Sequence, residues 1–350
     1  MQKVKPNEVV GILSPLYAAS QDIPSVMLWG PPGVGKSDAI KTLAKEVAKA
    51  TGKNVVVTDV RLLLFNPVDL RGIPVPDANK EFAKWLKPKI FDLDPSENII
   101  NIVFLDEISA APPTVQASAY QLTLDKKVGE HELPKNTIII AAGNRVQDKG
   151  VAYKMPTPLA NRFTHFEIYA ELEDWKEWAI PAGVHPTIIG FLNFRSSLLH
   201  QFDPSKDDLA FPTPRSWVSA SNFTKIYGSV SSAFKMIAGT IGEGPAGELN
   251  AFAKVYGELP NIEDILNGNK VTFKKENSVQ YALSAALVNV AAKITDDQLR
   301  NIVLFTMDEL DSEFAVLTMR DMLRTPGVKE RLLKVKEWLT WAKEKRHLIA

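Results

Sequence analysis

The sequence contains no cysteine, which excludes disulfide bonds and thiolate chemistry. It has only 5 histidines, and none of them stands at a spacing typical of a metal site. No run of about 18 apolar residues occurs, so we expect no membrane-spanning helix. The first residues carry no apolar signal-peptide core. We therefore expect a cytoplasmic protein.

An excess of charge of either sign is also missing, because Lys plus Arg and Asp plus Glu both number 41. This balance argues against a basic nucleic-acid-binding surface over the whole protein, but it does not exclude a local basic patch. Apolar residues make up 45% and charged residues 23% of the chain, which is typical of a globular protein. A length of 350 residues predicts two or three domains.

The segment from Gly30 to Ser37 matches the phosphate-binding loop pattern G-x-x-x-x-G-K-[ST]. An apolar run precedes it, and apolar residues at helical spacing follow it, so a strand, a glycine loop and a helix are predicted in that order. This arrangement aims backbone N–H groups and a helix N-terminus at one anion. Lys36 would reach the β- and γ-phosphates, and Ser37 would hold Mg²⁺. A chance match in a glycine-containing turn is the alternative. The candidate nucleotide-binding residues are Gly30, Pro31, Pro32, Gly33, Val34, Gly35, Lys36, Ser37, Asp38 and Asp106.

A second candidate segment is the apolar run 102–105, which ends in Asp106 and Glu107. Carboxylates at the C-terminal end of a buried strand point into the crevice where α/β sheets bind ligands. We expect Asp106 to hold Mg²⁺ through its water shell and Glu107 to orient the attacking water. Ordinary acidic residues at the start of a helix are the alternative.

Three further polar residues follow or precede predicted elements. Asn144 comes after the apolar strand 136–142 and could reach the γ-phosphate or the attacking water, although an Asn after Gly is also a common turn. Arg162 precedes the predicted strand 163–168, and Arg215 opens a helix after two prolines. Each arginine alone is more often a solvated charge, so their interpretation depends on the order of all the segments.

Continuous apolar strands that alternate with helices predict an α/β fold with a parallel five-stranded sheet covered on both faces. After about residue 170 the pattern becomes helical. We therefore predict a P-loop nucleotide-binding domain at 1–170, a helical lid at 171–265 and a C-terminal helical extension at 266–350. Two insertions, near 66–90 and 126–136, are predicted to form loops or hairpins beside the sheet.

The order of the segments resembles that of the AAA+ ATPases: Gly-Pro-Pro-Gly-Val-Gly-Lys-Ser, then Phe-Leu-Asp-Glu-Ile, Ala-Ala-Gly-Asn, Leu-Ala-Asn-Arg-Phe and Thr-Pro-Arg-Ser. More narrowly, it resembles the MoxR-like branch, also grouped with dynein-related ATPases, over about residues 5–265. The resemblance implies that Lys36 and Ser37 belong to the Walker A motif. It implies that Asp106 and Glu107 belong to the Walker B motif and that Asn144 is sensor 1.

The same resemblance gives roles to the arginines and the insertions. Arg162 looks like the arginine finger, which acts on ATP in the neighbouring subunit, and Arg215 looks like sensor 2, which reaches the nucleotide from the lid. Many MoxR-like members have Asn-Pro after sensor 1, whereas this chain has Arg145 there, so Arg145 is a second finger candidate. The insertions match a helix-2 insert and a pre-sensor-1 hairpin, which commonly line the pore or face of a ring.

The resemblance implies a Mg²⁺-dependent, ATP-hydrolysing motor or chaperone that works as a homo-oligomeric ring, with a hexamer expected. MoxR-like ATPases often work with a partner that contains a von Willebrand factor A domain, so remodelling or activation of such a partner is the expected function. The alternatives are a nucleic-acid motor, which the charge balance disfavours, a nucleotide-gated scaffold, and, more weakly, a metabolic kinase. Threading of a polypeptide is not predicted, because no aromatic pore-loop signature is evident.

Overall fold

The computed structural model describes residues 1–20, 22–148 and 152–345. The chain divides into two compact units, one of residues 1–170 with 203–207 and one of residues 171–202 with 208–350. The predicted division of the helical part at residue 265 stays a prediction, and residues 346–350 of the predicted extension lie outside the described residues.

The first unit contains all the strands of the described residues and five helices. These elements are β1 Gln2–Val4, α1 Pro6–Ala19, β2 Ser25–Trp29, α2 Lys36–Thr51, β3 Asn54–Arg61, α3 Pro67–Arg71, β4 Ile73–Pro76, β5 Ala83–Leu86, β6 Ile99–Asp106, α4 Pro113–Asp125, β7 Lys127–Val128, β8 His131–Glu132, β9 Thr137–Gly143, α5 Thr157–Ala160 and β10 Phe163–Ile168. Short 3-10 turns lie at Leu62–Leu64, Lys89–Phe91 and Val146–Asp148.

The central sheet has six parallel strands in the order β1-β10-β2-β9-β6-β3. The predicted α/β fold with a parallel sheet and a helical C-terminal part is confirmed, with one strand more than predicted. The extra strand, β1, is a three-residue edge strand that pairs with β10. Because β2, β9 and β6 are neighbours and run in the same direction, the loops that follow these strands meet at one edge of the sheet.

Alternate residues of the central strands pack on opposite faces of the sheet. In β2, Val26 and Leu28 belong to the core on one face, together with apolar residues of α1 and α2, whereas Met27 belongs to the core on the other face, against α4. All three side chains are buried. Burial on both faces explains why the strands appear in the sequence as continuous apolar runs.

Both predicted insertions contain two-stranded antiparallel hairpins, β4 with β5 and β7 with β8. The two hairpins are in contact, since His131 Nε2 lies 2.8 Å from the carbonyl oxygen of Trp85. Gly129 forms the turn of the second hairpin at φ +57°, and a Cβ there would lie 2.5 Å from the carbonyl oxygen of Arg71. Only glycine therefore suits this close approach.

The second unit is helical throughout the described residues. Its helices are α6 Leu172–Ala179, α7 Pro186–Phe194, α8 Pro214–Tyr227, α9 Phe234–Ile241, α10 Glu243–Tyr256, α11 Ile262–Leu266, α12 Asn277–Ala291, α13 Asp296–Glu309, α14 Ser312–Arg324, α15 Lys329–Leu332 and α16 Lys336–Glu344, with a 3-10 turn at Ser196–Leu198.

The helix α12 is the centre of this unit and packs against both α7 and α14. Its buried residues include Leu283 and Leu287, which join a core with Phe314 of α14. Phe191 of α7 makes ring contacts with Trp217 and Phe252, at centroid distances of 5.6 and 5.7 Å. Among the described residues, no helix is both long and apolar enough to span a bilayer.

Candidate nucleotide-binding site

The predicted phosphate-binding loop lies between β2 and α2, as the sequence pattern requires. Gly33 and Gly35 adopt positive φ angles of +75° and +100°. A residue with a side chain would be strained in this conformation. At Gly30 a Cβ would lie 2.7 Å from the carbonyl oxygen of Ile168 on β10. The glycines thus fit the backbone conformation of the loop and its close approach to the neighbouring strand.

The ammonium group of Lys36 joins this loop to the end of β9. Its Nζ donates to the carbonyl oxygens of Gly30 at 2.6 Å and Pro31 at 3.0 Å, and to Asn144 Oδ1 at 3.0 Å. Lys36 is half-buried. Two residues that the sequence placed more than a hundred positions apart therefore meet at the same edge of the sheet.

The first turn of α2 meets the end of β6 in the same place. Ser37 Oγ donates to Asp106 Oδ2 at 3.2 Å, while Asp106 Oδ1 accepts the N–H of Glu107 at 2.9 Å. A hydroxyl and a carboxylate are the oxygen ligands that Mg²⁺ takes when substrate phosphates and water complete its shell. No cluster of three or more His, Cys, Asp or Glu residues that could hold a metal occurs in the described ranges. A Mg²⁺ site that substrate phosphates and water complete does not need three such residues. The hydroxyl of Ser37 and the carboxylate of Asp106 therefore fit Mg²⁺.

Glu107 is exposed and has an unusual backbone conformation, with φ +57°. This left-handed region is uncommon for residues other than glycine and costs about 1 to 2 kcal/mol. The next residue, Ile108, donates its N–H to the carbonyl oxygen of Ala142 on β9 at 3.0 Å, which fixes the turn. The strain is therefore sustained by the neighbouring strand, as is frequent at functional sites.

Ser109 positions Asn144 and was not predicted from the sequence. The N–H of Asn144 donates to Ser109 Oγ at 2.9 Å. At Gly143 a Cβ would lie 2.6 Å from the same oxygen. A serine two residues after Glu107 gives no signal in the sequence, because its importance comes from the pairing of β6 with β9.

Arg145 and Arg162 have different surroundings. Arg145 makes ion pairs with Asp148, where Nη2 lies 2.7 Å from Oδ1, and with Glu167. The hydrogen bonds to Asp148 raise the pKa of Arg145, although burial opposes the change. Arg162 donates from Nη1 to the carbonyl oxygen of Pro158 at 2.7 Å and has no carboxylate partner among the described residues.

The structure does not bring Arg162 to the other candidate residues of the first unit. Arg162 precedes β10, which runs parallel to β2, whereas the phosphate-binding loop follows β2. The arginine and the loop therefore lie at opposite edges of the sheet, about 16 Å apart for a strand of five residues. Arg215 is exposed in the first turn of α8 and belongs to the second unit.

Residues 25–165 match the family model of ATPases associated with various cellular activities, the AAA family. A search of the curated proteins finds no match. Among solved structures, a candidate ATPase of Cytophaga hutchinsonii is 12% identical with a TM-score of 0.34, over 90% of this chain and 92% of that one. A chain of the HORMA:CdnC:Trip13 complex of Escherichia coli is 13% identical with a TM-score of 0.38, over 66% and 86%. NtrX of Brucella abortus is 14% identical with a TM-score of 0.33, over 72% and 68%.

None of these three structures is similar enough to indicate a function for this chain. The matched segment, by contrast, runs from the first residue of β2 into β10, and it contains the phosphate-binding loop and the acidic pair. Residues 25–165 are therefore similar to the ATPase domain of the AAA family.

Proposed function

We propose that the protein is a Mg²⁺-dependent, ATP-hydrolysing motor that acts as a ring and remodels or activates a partner protein. One observation supports the hydrolytic part above all others. The contacts of Lys36 with Asn144 and of Ser37 with Asp106 join the ends of three neighbouring strands around one loop.

Each residue of this site has a proposed task in hydrolysis. The N–H groups of the loop and the ammonium of Lys36 bind the phosphates, while Ser37 and Asp106 hold Mg²⁺. The bound ion supplies positive charge that neutralises the phosphate oxygens. Glu107 orients the attacking water, and Asn144 contacts that water or the γ-phosphate. Three of the contacts of Lys36 are with the neutral oxygens of Gly30, Pro31 and Asn144, and hydrogen bonds to a charged phosphate would be stronger than these.

The position of Arg162 supports an action on the neighbouring subunit. It lies at the sheet edge opposite to the loop, so it is too far away to serve its own site. An arginine supplied from a second copy stabilises the transferring phosphoryl group and accelerates NTP hydrolysis by about 10³- to 10⁵-fold in well-studied enzymes. A site shared in this way uses a head-to-tail interface, which closes into a ring, and we propose a hexamer. Arg145 is less suited to this task because two carboxylates of its own subunit already pair with it.

Arg215 is proposed to act as a nucleotide sensor from the helical part of the chain. A cation in the first turn of a helix faces the positive end of the helix dipole, which costs about 0.3 to 1 kcal/mol. Arg215 occupies such a position, after the N-cap Thr213 and Pro214. An anionic ligand close to it would remove this penalty.

The partner is proposed from the order of the motifs alone. That order resembles the MoxR-like branch, so we propose a protein with a von Willebrand factor A domain as the partner. Pull-down with the Glu107→Gln protein in ATP, followed by identification of the captured protein, tests this part separately from hydrolysis. Capture of nucleic acid instead, with DNA-stimulated turnover that falls steeply with salt, would favour the nucleic-acid motor.

The decisive experiment on hydrolysis compares the wild type with Glu107→Gln. We expect the variant to bind ATP normally but to lose turnover, because the amide keeps the size of the side chain and cannot accept a proton. Normal hydrolysis by Glu107→Gln would show that the carboxylate of Glu107 does not activate the attacking water. Mixtures then test the shared site, since Arg162→Ala and Lys36→Ala subunits restore activity together only when Arg162 acts on a neighbour. Recovery in Arg145→Ala mixtures instead would transfer the role to Arg145.

A further inference from the structure

A cleft of about 570 Å³ lies at the amino-terminal edge of the sheet, away from the candidate nucleotide-binding site. We call it the amino-edge cleft. It is formed by the segment that leads into β2, the end of α4 and the two residues before β10. Its charged lining residues are Asp22, Lys126 and Arg162.

One N–H donor of Arg162, at Nε, has no acceptor in this cleft. Its guanidinium carbon lies 3.6 Å from the ring centroid of Tyr120, and Nη1 donates to Pro158. The Nε atom is buried and has no hydrogen-bond partner. A buried donor without a partner is unfavourable. Rotation of the side chain away from Tyr120 would expose this donor to an acceptor from outside the subunit.

Lys126 is the second cation of the cleft, and its backbone is strained. It follows α4 directly and adopts φ +51°, a conformation that helices usually give to glycine or asparagine at this position. Its carbonyl oxygen accepts the N–H of Leu133 at 2.7 Å, which holds the base of the second hairpin. A lysine thus occupies a position where glycine would be less strained. Strained backbone conformations of this kind are frequent at functional sites.

The ammonium of Lys126 lies in the wall of the cleft and faces the carboxylate of Asp22. Its side chain is 22% exposed, and Nζ lies 4.0 Å from Asp22 Oδ1, whose own side chain is fully exposed. Burial lowers the pKa of Lys126, and Asp22 only partly opposes this. An anion with several oxygens that approached more closely than Asp22 does would form charged hydrogen bonds with this ammonium.

We propose that Lys126 acts beside Arg162 as a second cationic residue on the triphosphate held by a neighbouring copy of this chain. The inference rests on the proposed function, because it requires the shared site. The phosphate oxygens of the neighbour approach Lys126 from the open side of the amino-edge cleft. Two cations then face the charge that develops on the γ-phosphoryl group during hydrolysis.

The test measures kcat and KM for ATP with the full chain carrying Lys126→Met. We expect kcat to fall by about tenfold or more, while KM changes by less than about threefold, because the interaction strengthens in the transition state. The matched control is Lys127→Met. The neighbouring Lys127 pairs with Glu132 at 3.0 Å in the second hairpin and does not line the cleft. We expect the control to keep wild-type values.

Mixing variants distinguishes a neighbour's nucleotide from other anions. Lys126→Met subunits bind ATP, and Lys36→Ala subunits supply an intact Lys126. Recovery of turnover in the mixture supports the proposal. Absence of recovery means that Lys126 serves its own subunit or a free anion such as phosphate, and it overturns the proposal.

A glycine variant separates this role from a structural one. Lys126→Gly relieves the strained backbone, so we expect it to unfold at a higher temperature than the wild type and yet to lose turnover as Lys126→Met does. A fall in both melting temperature and turnover would mean that Lys126 only supports the hairpin. If Lys126→Met keeps the wild-type kcat while Arg162→Ala loses activity, the inference about Lys126 is wrong and the proposed function still stands. An inactive wild type instead overturns the proposed function.

Discussion

Glu173 belongs to a buried ionic cluster of the second unit. The effect of removing its charge on the free energy of unfolding can be predicted. Its carboxylate lies 2.8 Å from Lys176 Nζ and 2.8 Å from Arg324 Nη1. Lys176 is fully buried and also contacts Asp321 at 2.9 Å. The cluster joins α6 to α14, and the charge of Glu173 is therefore part of what holds these helices together.

The pKa of Glu173 sets the size of the effect. Burial alone would raise this pKa, but Lys176 and Arg324 outweigh burial and lower it from 4.5 to about 2. A carboxyl group with a depressed pKa stabilises the folded state above its unfolded pKa and loses this contribution as the pH falls through its folded pKa. The contribution is about 3 kcal/mol at pH 7 and about 1.5 kcal/mol at pH 3. Glu173→Gln, which resembles the neutral acid, should lower the free energy of unfolding of the second unit by these amounts.

The assay must report on the second unit within the intact chain. We would equilibrate wild type and variant in urea at pH values from 7 down to 3 and label both with a short hydrogen-exchange pulse at one fixed pH. The protected fraction of the α14 amides then gives the free energy of unfolding. An equal loss at every pH would refute the electrostatic reasoning, because it would show that the amide disturbs packing. Glu177→Gln is the control: Glu177 lies 2.7 Å from Arg324 Nε but is 52% exposed, so we expect a loss below about 1 kcal/mol.

The remaining predictions concern the nucleotide-binding unit. Lys36→Ala should abolish ATP binding, which equilibrium binding of a fluorescent ATP analogue measures, and binding at wild-type affinity would contradict the assignment of the loop. Gly143→Ala should lower the free energy of unfolding by about 1 to 3 kcal/mol in urea titration, because the new Cβ would lie 2.6 Å from Ser109 Oγ. Gly11→Ala, in a helix with nothing within 4 Å of the new Cβ, should instead stabilise the protein by about 0.5 to 1 kcal/mol. If the proposed ring forms, turnover per chain should rise steeply with protein concentration over the range in which copies assemble, and constant specific activity down to a verified monomer would contradict a shared site.

The loop and the strands could be predicted from the sequence because their signals are local. The glycines and Lys36 follow a fixed spacing, and the strands buried on both faces appear as continuous apolar runs. Asp106 and Asn144 could be placed near the loop because Asp106 ends one strand of the parallel sheet and Asn144 follows another. Their individual hydrogen bonds depend on register, which the sequence does not specify.

What escaped prediction depends on pairing between distant segments. The strand β1 has three residues, two of them polar or charged, so no apolar alternation reveals it, and pairing with β10 alone makes it a strand. Ser109 matters only because β6 and β9 are neighbours and bring its hydroxyl beneath Gly143. The left-handed conformation of Glu107 goes with the hydrogen bond from Ile108 to Ala142 of β9, which the residue type does not reveal.

The direction of the strands connects the two ends of the proposed mechanism. In a parallel sheet every strand presents its C-terminal end at one edge and its N-terminal end at the other, so a loop after β2 and an arginine before β10 cannot share a site within one unit. The phosphate-binding loop and Asp106 occupy the first edge, while Arg162 and Lys126 occupy the second. A head-to-tail arrangement of copies is the simplest way to bring the two edges together, and repetition of that step around an axis gives a ring. The same parallel topology that buries both faces of the sheet therefore also separates the two halves of the proposed hydrolytic site.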